Sequence, residues 1–139
     1  MEGKGNKAED YELLQVIGKG ATSVVYRARQ RTGKEVAVKV FNMADLPEEM
    51  EERILREIST LALLDHPAVV KLLASFVRPA QGKDGEQLWM VMPLISHGSV
   101  LDVMKDVSPQ GLSEDCIGVI LYPVLEALQY LHSNSALHR

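Results

Sequence analysis

Glu35-Val36-Ala37-Val38-Lys39-Val40-Phe41 alternates with a period of two. Val36, Val38 and Val40 fall on one face of a strand, and Ala37, Lys39 and Phe41 on the other. A lysine among valines on an inner strand either snorkels to solvent or holds an anion. Two runs precede it. Tyr11-Glu12-Leu13-Leu14-Gln15-Val16-Ile17 reads as a strand ended by Gly18-Lys19-Gly20. Val24-Val25-Tyr26-Arg27-Ala28-Arg29 reads as a second strand, closed by the turn Arg31-Thr32-Gly33-Lys34. Three strands at hairpin spacing predict an antiparallel meander. Ahead of them, residues 1–10 are rich in charge and glycine and read as a flexible N-terminal arm.

Beyond the third strand, Pro47 predicts the first position of a helix, and Glu48, Glu49, Glu51 and Glu52 suit its positive N-terminal end. Ile54, Leu55, Ile58, Leu61 and Ala62 make an apolar stripe at helical spacing. The helix is expected to stop near Asp65, before His66-Pro67. Two further strands are predicted over Val69–Val77 and Gln87–Met92, with an exposed loop between them. After Pro93 the chain turns helical. A short helix is expected over Val100–Val107, and a longer one from an N-cap at Ser113 to about His132. The longer one is apolar around nearly its whole circumference, from Ile117 through Tyr122 and Leu125 to Leu131. Such a helix belongs inside a larger body, so the chain is expected to be the front part of a longer domain. Pro123 inside it predicts a kink.

Composition narrows the function classes. The chain has 139 residues, 46% of them hydrophobic and 24% charged, which is ordinary for one folded domain. A formal net charge of -4 offers no electrostatic case for nucleic acid. No apolar run is long enough to insert in a membrane, and the N-terminus carries neither a signal core nor a myristoylation pattern. The single cysteine, Cys116, excludes an internal disulfide and suits a reducing compartment, so a cytoplasmic protein is expected.

Three features carry chemistry. Gly18-Lys19-Gly20, set between two strands, is either a flexible hairpin turn or a loop whose N–H groups face phosphate oxygens. A strand follows it where a Rossmann fingerprint needs a helix, and no Gly-Lys-Ser/Thr closes it as a Walker A loop would. Lys39 is the second feature and Glu57 the third. Glu57 lies close to the apolar stripe, flanked by Ile54, Ile58 and Leu61. It is either paired, with Lys39 as the obvious partner, or part of a solvated run with Arg53 and Arg56. Trp89 reads as strand core, Cys116 as a helix-face residue and the methionines as core gap-fillers; His66 and His132 are not spaced as a metal pair.

The order is a Gly-rich hairpin, Val-Ala-Val-Lys on the third strand, a helix with an inward Glu, then two strands. It resembles the N-terminal lobe of eukaryotic protein kinases. Leu128-Gln129-Tyr130-Leu131-His132-Ser133 and His138-Arg139 resemble the approach to the kinase catalytic loop. Gly20-Ala21-Thr22-Ser23-Val24-Val25-Tyr26 and Trp89-Met90-Val91-Met92-Pro93-Leu94 are similar to sterile-20-type kinases. Gly98-Ser99-Val100-Leu101-Asp102-Val103-Met104-Lys105 is similar to the Fray or oxidative-stress-responsive branch, and the hinge to plant members of it.

The resemblance implies an α+β fold: an N-lobe of five antiparallel strands and one helix with its hinge over residues 11–95, then the first helices of an incomplete C-lobe over 96–139. It implies an ATP-dependent serine/threonine kinase acting on protein substrates, with regulatory or scaffold proteins as further partners. Ile17, Gly18, Lys19, Gly20, Ala21, Thr22, Ser23, Val24 and Val25 would cover the phosphates, with Ile17, Val25 and Ala37 roofing the adenine. Lys39 would bind the α- and β-phosphates, oriented by Glu57. Met92 takes the gatekeeper position, Pro93 C=O and Ile95 N–H meet the adenine, and Ser99 approaches the ribose. Leu61 and Leu72 would pack in the family's regulatory spine, under His138. Ser23 stands in place of the third loop glycine, Thr22 in place of a common aromatic, and His97 in place of a common glycine. The family's catalytic Asp, the metal-binding Asn and the Asp-Phe-Gly that hold Mg2+, and the activation loop would all come after Arg139. The 139 residues alone are therefore expected to be inactive and poorly stable. The alternative is a pseudokinase or a truncated interaction scaffold without catalysis.

Overall fold

The structure, a computed structural model, describes residues 7–136. The chain is α+β and divides into two units. Of the described residues, one contains those up to Leu63 together with Lys71–Leu94; the other contains Leu64–Val70 and those from Ile95 to Ala136.

The first unit is a five-stranded antiparallel sheet in the order β1-β2-β3-β5-β4. Its strands are β1 (Tyr11–Lys19), β2 (Ser23–Gln30), β3 (Glu35–Asn42), β4 (Ala74–Arg78) and β5 (Gln87–Pro93). The predicted meander is β1-β2-β3. The alternation in β3 holds: Val36, Val38 and Val40 enter one buried cluster with Tyr11, Ala28, Trp89 and Val91. Val38 is 0% exposed. Burying one such side chain contributes roughly 1.5–3 kcal/mol, which makes this face the main anchor of the sheet. Phe41 enters a second cluster, on the opposite face of β3, with Ile54, Leu88 and Met90.

The helix after β3, α1 (Glu48–Leu63), docks Ile54, Ile58 and Leu61 of the expected stripe in that second cluster together with Met50, whereas Leu55 and Ala62 of that stripe are exposed. Pro47 sits one residue before the helix, and its carbonyl accepts the Met50 and Glu51 N–H groups at 2.8 and 3.1 Å. The Glu51 bond is the first regular one of the helix, and the Met50 bond satisfies one of the orphan donors of the first turn.

β4 is shorter than the expected Val69–Val77. The Leu73 N–H still donates to the Val91 carbonyl at 2.8 Å, but the ladder runs only from Ala74 to Arg78. β4 is an edge strand with one neighbour, and the partner strand ends at Pro93, which has no N–H to offer. The loop that follows β4 is exposed, as expected, and turns at Gly82 with φ 61°. The residues before β1 differ from a free arm. Ala8–Asp10 form a 3-10 turn, and the Asp10 carbonyl accepts the Arg31 N–H at 3.0 Å. Residues 1–6 of the expected arm lie outside the described residues.

The second unit contains α2 (Val100–Asp106) and α3 (Glu114–Ser133). Ser113 caps α3 as predicted, its hydroxyl accepting the Cys116 N–H at 3.3 Å. Residues on both sides of Pro123 remain helical. Ala127 and Leu131 are buried, whereas Val119 is 76% and Tyr122 67% exposed. Among the described residues, no helix is long and apolar enough to cross a membrane.

Candidate functional site

Register places the site face. Across β2, β3 and β5, Val25 pairs with Lys39 and Lys39 with Met90, while Ala37 pairs with Met92. On β1, Gly18 pairs with Val25. Directly opposed residues share a face, so Gly18, Val25, Ala37, Lys39, Met90 and Met92 line one side of the sheet. This is the side that bears Phe41 and α1.

The glycine loop is short and tight. β1 continues through Gly18 and Lys19, two residues past the expected end, and β2 starts at Ser23. The Gly20 N–H donates to the Ser23 carbonyl at 2.8 Å, so Ala21 and Thr22 form the tip. A Cβ on Gly20 would stand 3.3 Å from Ser23 Oγ, closer than ordinary contact. The pairing with β2 shifts register between Val16 and Gly18, which leaves Ile17 out of the ladder. Ile17 is exposed and Val24 partly so.

Lys39 is partly buried. Its Nζ lies 5.0 Å from the centroid of the Phe41 ring. The structure does not bring Lys39 and Glu57 together in an ion pair, and Glu57 is exposed. Of the two arrangements expected for Glu57, paired with Lys39 or solvated beside Arg53 and Arg56, the structure has the solvated one. Glu57 borders the seam formed by Met50, Ile54, Ile58 and Leu61, and the packing of those apolar residues turns the carboxylate to water.

Met92 and Pro93 end β5 and are partly buried. Ile95 and Ser99 belong to the second unit. Ile95 is exposed, and Ser99 is the N-cap of α2. The Ser99 hydroxyl donates to Asp102 Oδ2 at 2.6 Å and accepts the Asp102 N–H at 3.2 Å. The hydrogen bonds from the Ser99 side chain and backbone hold the Asp102 carboxyl below the usual carboxylate value. Gly98 adopts φ 76°, and a Cβ there would meet Asp102 Oδ2 at 3.0 Å.

Leu61 and Leu72 both pack against the Phe41 cluster, whereas His138, expected above them, lies outside the described residues. Trp89 is buried, as expected of strand core, and its Nε1–H donates to Gln87 Oε1 at 3.0 Å. Cys116 is exposed and free. The sequence reading put Phe41 on the face of Lys39 without assigning it a part; the spacing of two residues was its signal. Met90, expected as a core gap-filler, is buried as such, but its place opposite Lys39 depends on a register that no local pattern carries.

On this face the apolar side chains of Val25, Ala37 and Met92 stand beside the glycine loop. Among the described residues, no group of three or more His, Cys, Asp and Glu could hold a metal ion.

The family described as "Protein kinase domain" matches residues 11–139. The chain is 37% identical over 135 residues to serine/threonine-protein kinase fray2 of Dictyostelium discoideum, covering 96% of this chain and 12% of that protein. It is 42% identical over 130 residues to serine/threonine-protein kinase 1 of Arabidopsis thaliana, covering 93% and 15%. It is 34% identical over 131 residues to misshapen-like kinase 1 of Rattus norvegicus, covering 93% and 10%. The chain therefore spans between 10% and 15% of the length of these three relatives.

Proposed function

Because the chain belongs to the protein kinase family, with serine/threonine kinases of the sterile-20 type as relatives, we propose that the protein transfers the γ-phosphoryl group of ATP to serine and threonine hydroxyls of protein substrates. The observation that carries the proposal is the single sheet face on which Gly18, Val25, Ala37, Lys39 and Met92 stand together. On this reading Ile17, Val25 and Ala37 cover the adenine, and the loop from Gly18 to Val24 covers the phosphates. Lys39 binds the α- and β-phosphates, with Glu57 turning in to orient it when nucleotide is bound. Met92 is the gatekeeper, and Pro93 C=O and Ile95 N–H meet the adenine edge. Pro93 suits its place because that position supplies only a carbonyl. Ser99 approaches the ribose.

Members of the family use ATP with a divalent metal ion, which neutralises charge on the phosphates. The residues described here would supply the lid, the lysine and the purine walls. Residues 96–139 begin a helical lobe on this reading, which the exposed apolar residues of α3 support. By themselves the 139 residues are inactive, because the family's catalytic Asp and metal ligands would come after Arg139. Further partners are regulatory or scaffold proteins, and the site of action is the cytoplasm.

A non-catalytic scaffold is the second reading. It is favoured by one observation, the absence of a Lys39–Glu57 ion pair. Assay of the full protein on a Ser/Thr peptide mixture separates the two. The kinase reading expects turnover that Lys39→Ala lowers by about 100-fold or more, on the scale of losing a charge-stabilising donor. Absence of turnover with retained partner binding supports the scaffold. Turnover by purified residues 1–139 above a Lys39→Ala control would overturn the assigned inactivity.

A further inference from the structure

Lys39 stands on a face where each near neighbour is apolar. Val25 and Met90 oppose it across the two adjacent strands, and Ala37 and Phe41 flank it on its own strand. Among the described residues, Nζ has no carboxylate partner and no hydrogen-bond acceptor; the Phe41 ring, 5.0 Å away, is what it contacts. An ammonium near the face of an aromatic ring is attracted by the ring quadrupole, the more so where water is scarce. The ring itself is fixed. Phe41 is 4% exposed and packs in one cluster with Ile54 of α1, Leu88 and Met90. Glu57, three residues after Ile54 on the same helix, is turned to water.

We propose that the Phe41 ring is the resting seat of the Lys39 ammonium, and that nucleotide must draw Lys39 off this ring to engage it. Phe41 is thus a positioning residue: it acts on the nucleotide through Lys39 and makes no contact of its own with it. The inference rests on the nucleotide reading of the site. It also assigns a consequence to α1. The ring that holds Lys39 is packed against Ile54, so the seat and the helix that carries Glu57 share one apolar cluster. Movement of α1 alters the seat.

The experiment uses the full protein without nucleotide, with its lysines carrying 13C at Cε, and compares wild type with Phe41→Leu and Phe41→Tyr. A seated Lys39 resonates upfield of the other lysines because of the ring current. Phe41→Leu keeps an apolar side chain in the cluster but removes the ring, so the Lys39 signal moves to the position of the others. Phe41→Tyr keeps the ring and restores the shift. Affinity for Mg-ATP rises about two- to fivefold in Phe41→Leu, the range expected from losing one competing cation–ring contact, and Phe41→Tyr matches wild type. A Lys39 signal that is unshifted in wild type overturns the seat, and this arm stands even if Phe41→Leu fails to fold. Unchanged ATP affinity in a folded Phe41→Leu overturns the competition. A wild type with a shifted Lys39 signal that binds no Mg-ATP overturns the nucleotide reading, and with it the competition. An unshifted signal with intact binding overturns the seat alone.

Discussion

The Tyr130 hydroxyl accepts the backbone N–H of Asp65 at 2.9 Å, and the Tyr130 ring stacks on His66 with centroids 5.1 Å apart. One side chain of α3 thus holds a segment that follows α1 by only two residues in sequence. The N–H it satisfies lies just past the helix end.

Tyr130→Phe removes the hydrogen bond and keeps the ring. The bond is exposed, so water replaces the lost partner and the cost falls at the low end of about 0.5–1.5 kcal/mol. Tyr130→Ala also loses the stack on His66 and costs more. Urea denaturation of the full protein carrying each substitution measures the order; equal losses would mean that the ring contributes nothing.

Val38→Ala opens a gap in the fully buried face of β3. Two carbon atoms are lost from a site that is 0% exposed, so the sheet loses about 2 kcal/mol including the cavity. The exposed Val77→Ala on the edge strand β4 costs much less. Thermal melts of the two variants compare them directly.

Lys39→Ala separates function from stability. Lys39 makes no ion pair among the described residues, so its loss removes only the contact with Phe41 and shifts stability by less than about 1 kcal/mol. Nucleotide binding is expected to collapse in the same variant. A folded protein with unchanged affinity for ATP would remove Lys39 from the site.

The first turn of α2 responds to acid. The Ser99 hydroxyl and N–H bind the ionised form of Asp102 and lower its affinity for protons in the folded chain. A lowered carboxylate pKa adds stability that is full above the ordinary value of 3.8 and fades as pH falls through the lower folded value. Fraying of α2, read by hydrogen exchange of the Asp102 and Val103 amides, therefore increases only below about pH 3.8. In Ser99→Ala the amides are less protected at neutral pH and the acid step is diminished.

The strand meander, the two faces of β3, the stripe of α1 and the Ser113 cap were all legible in the chain. Each is written in a local period or in a side chain that bonds its own backbone neighbours. β4 was read too long, because an apolar run from Val69 has the composition of a strand whether or not a partner lies alongside it. Leu64–Val70 falls inside the span 11–95 expected of the N-lobe, yet it clusters with the second unit, where Tyr130 binds Asp65.

The candidate site divides the same way. That Lys39 and Ala37 share a face, and that glycines sit between the first two strands, followed from spacing alone. That Met90 stands opposite Lys39 followed from register, which pairs residues far apart in the chain. By itself the sequence determined which residues alternate, cap and turn, since those preferences act over a few neighbouring residues. Only the tertiary structure decided that Glu57 faces water while Lys39 rests on Phe41. The rotation of α1 about its axis is set by how Met50, Ile54, Ile58 and Leu61 pack against Phe41, Leu88 and Met90, and that packing depends on parts of the chain that meet only when folded.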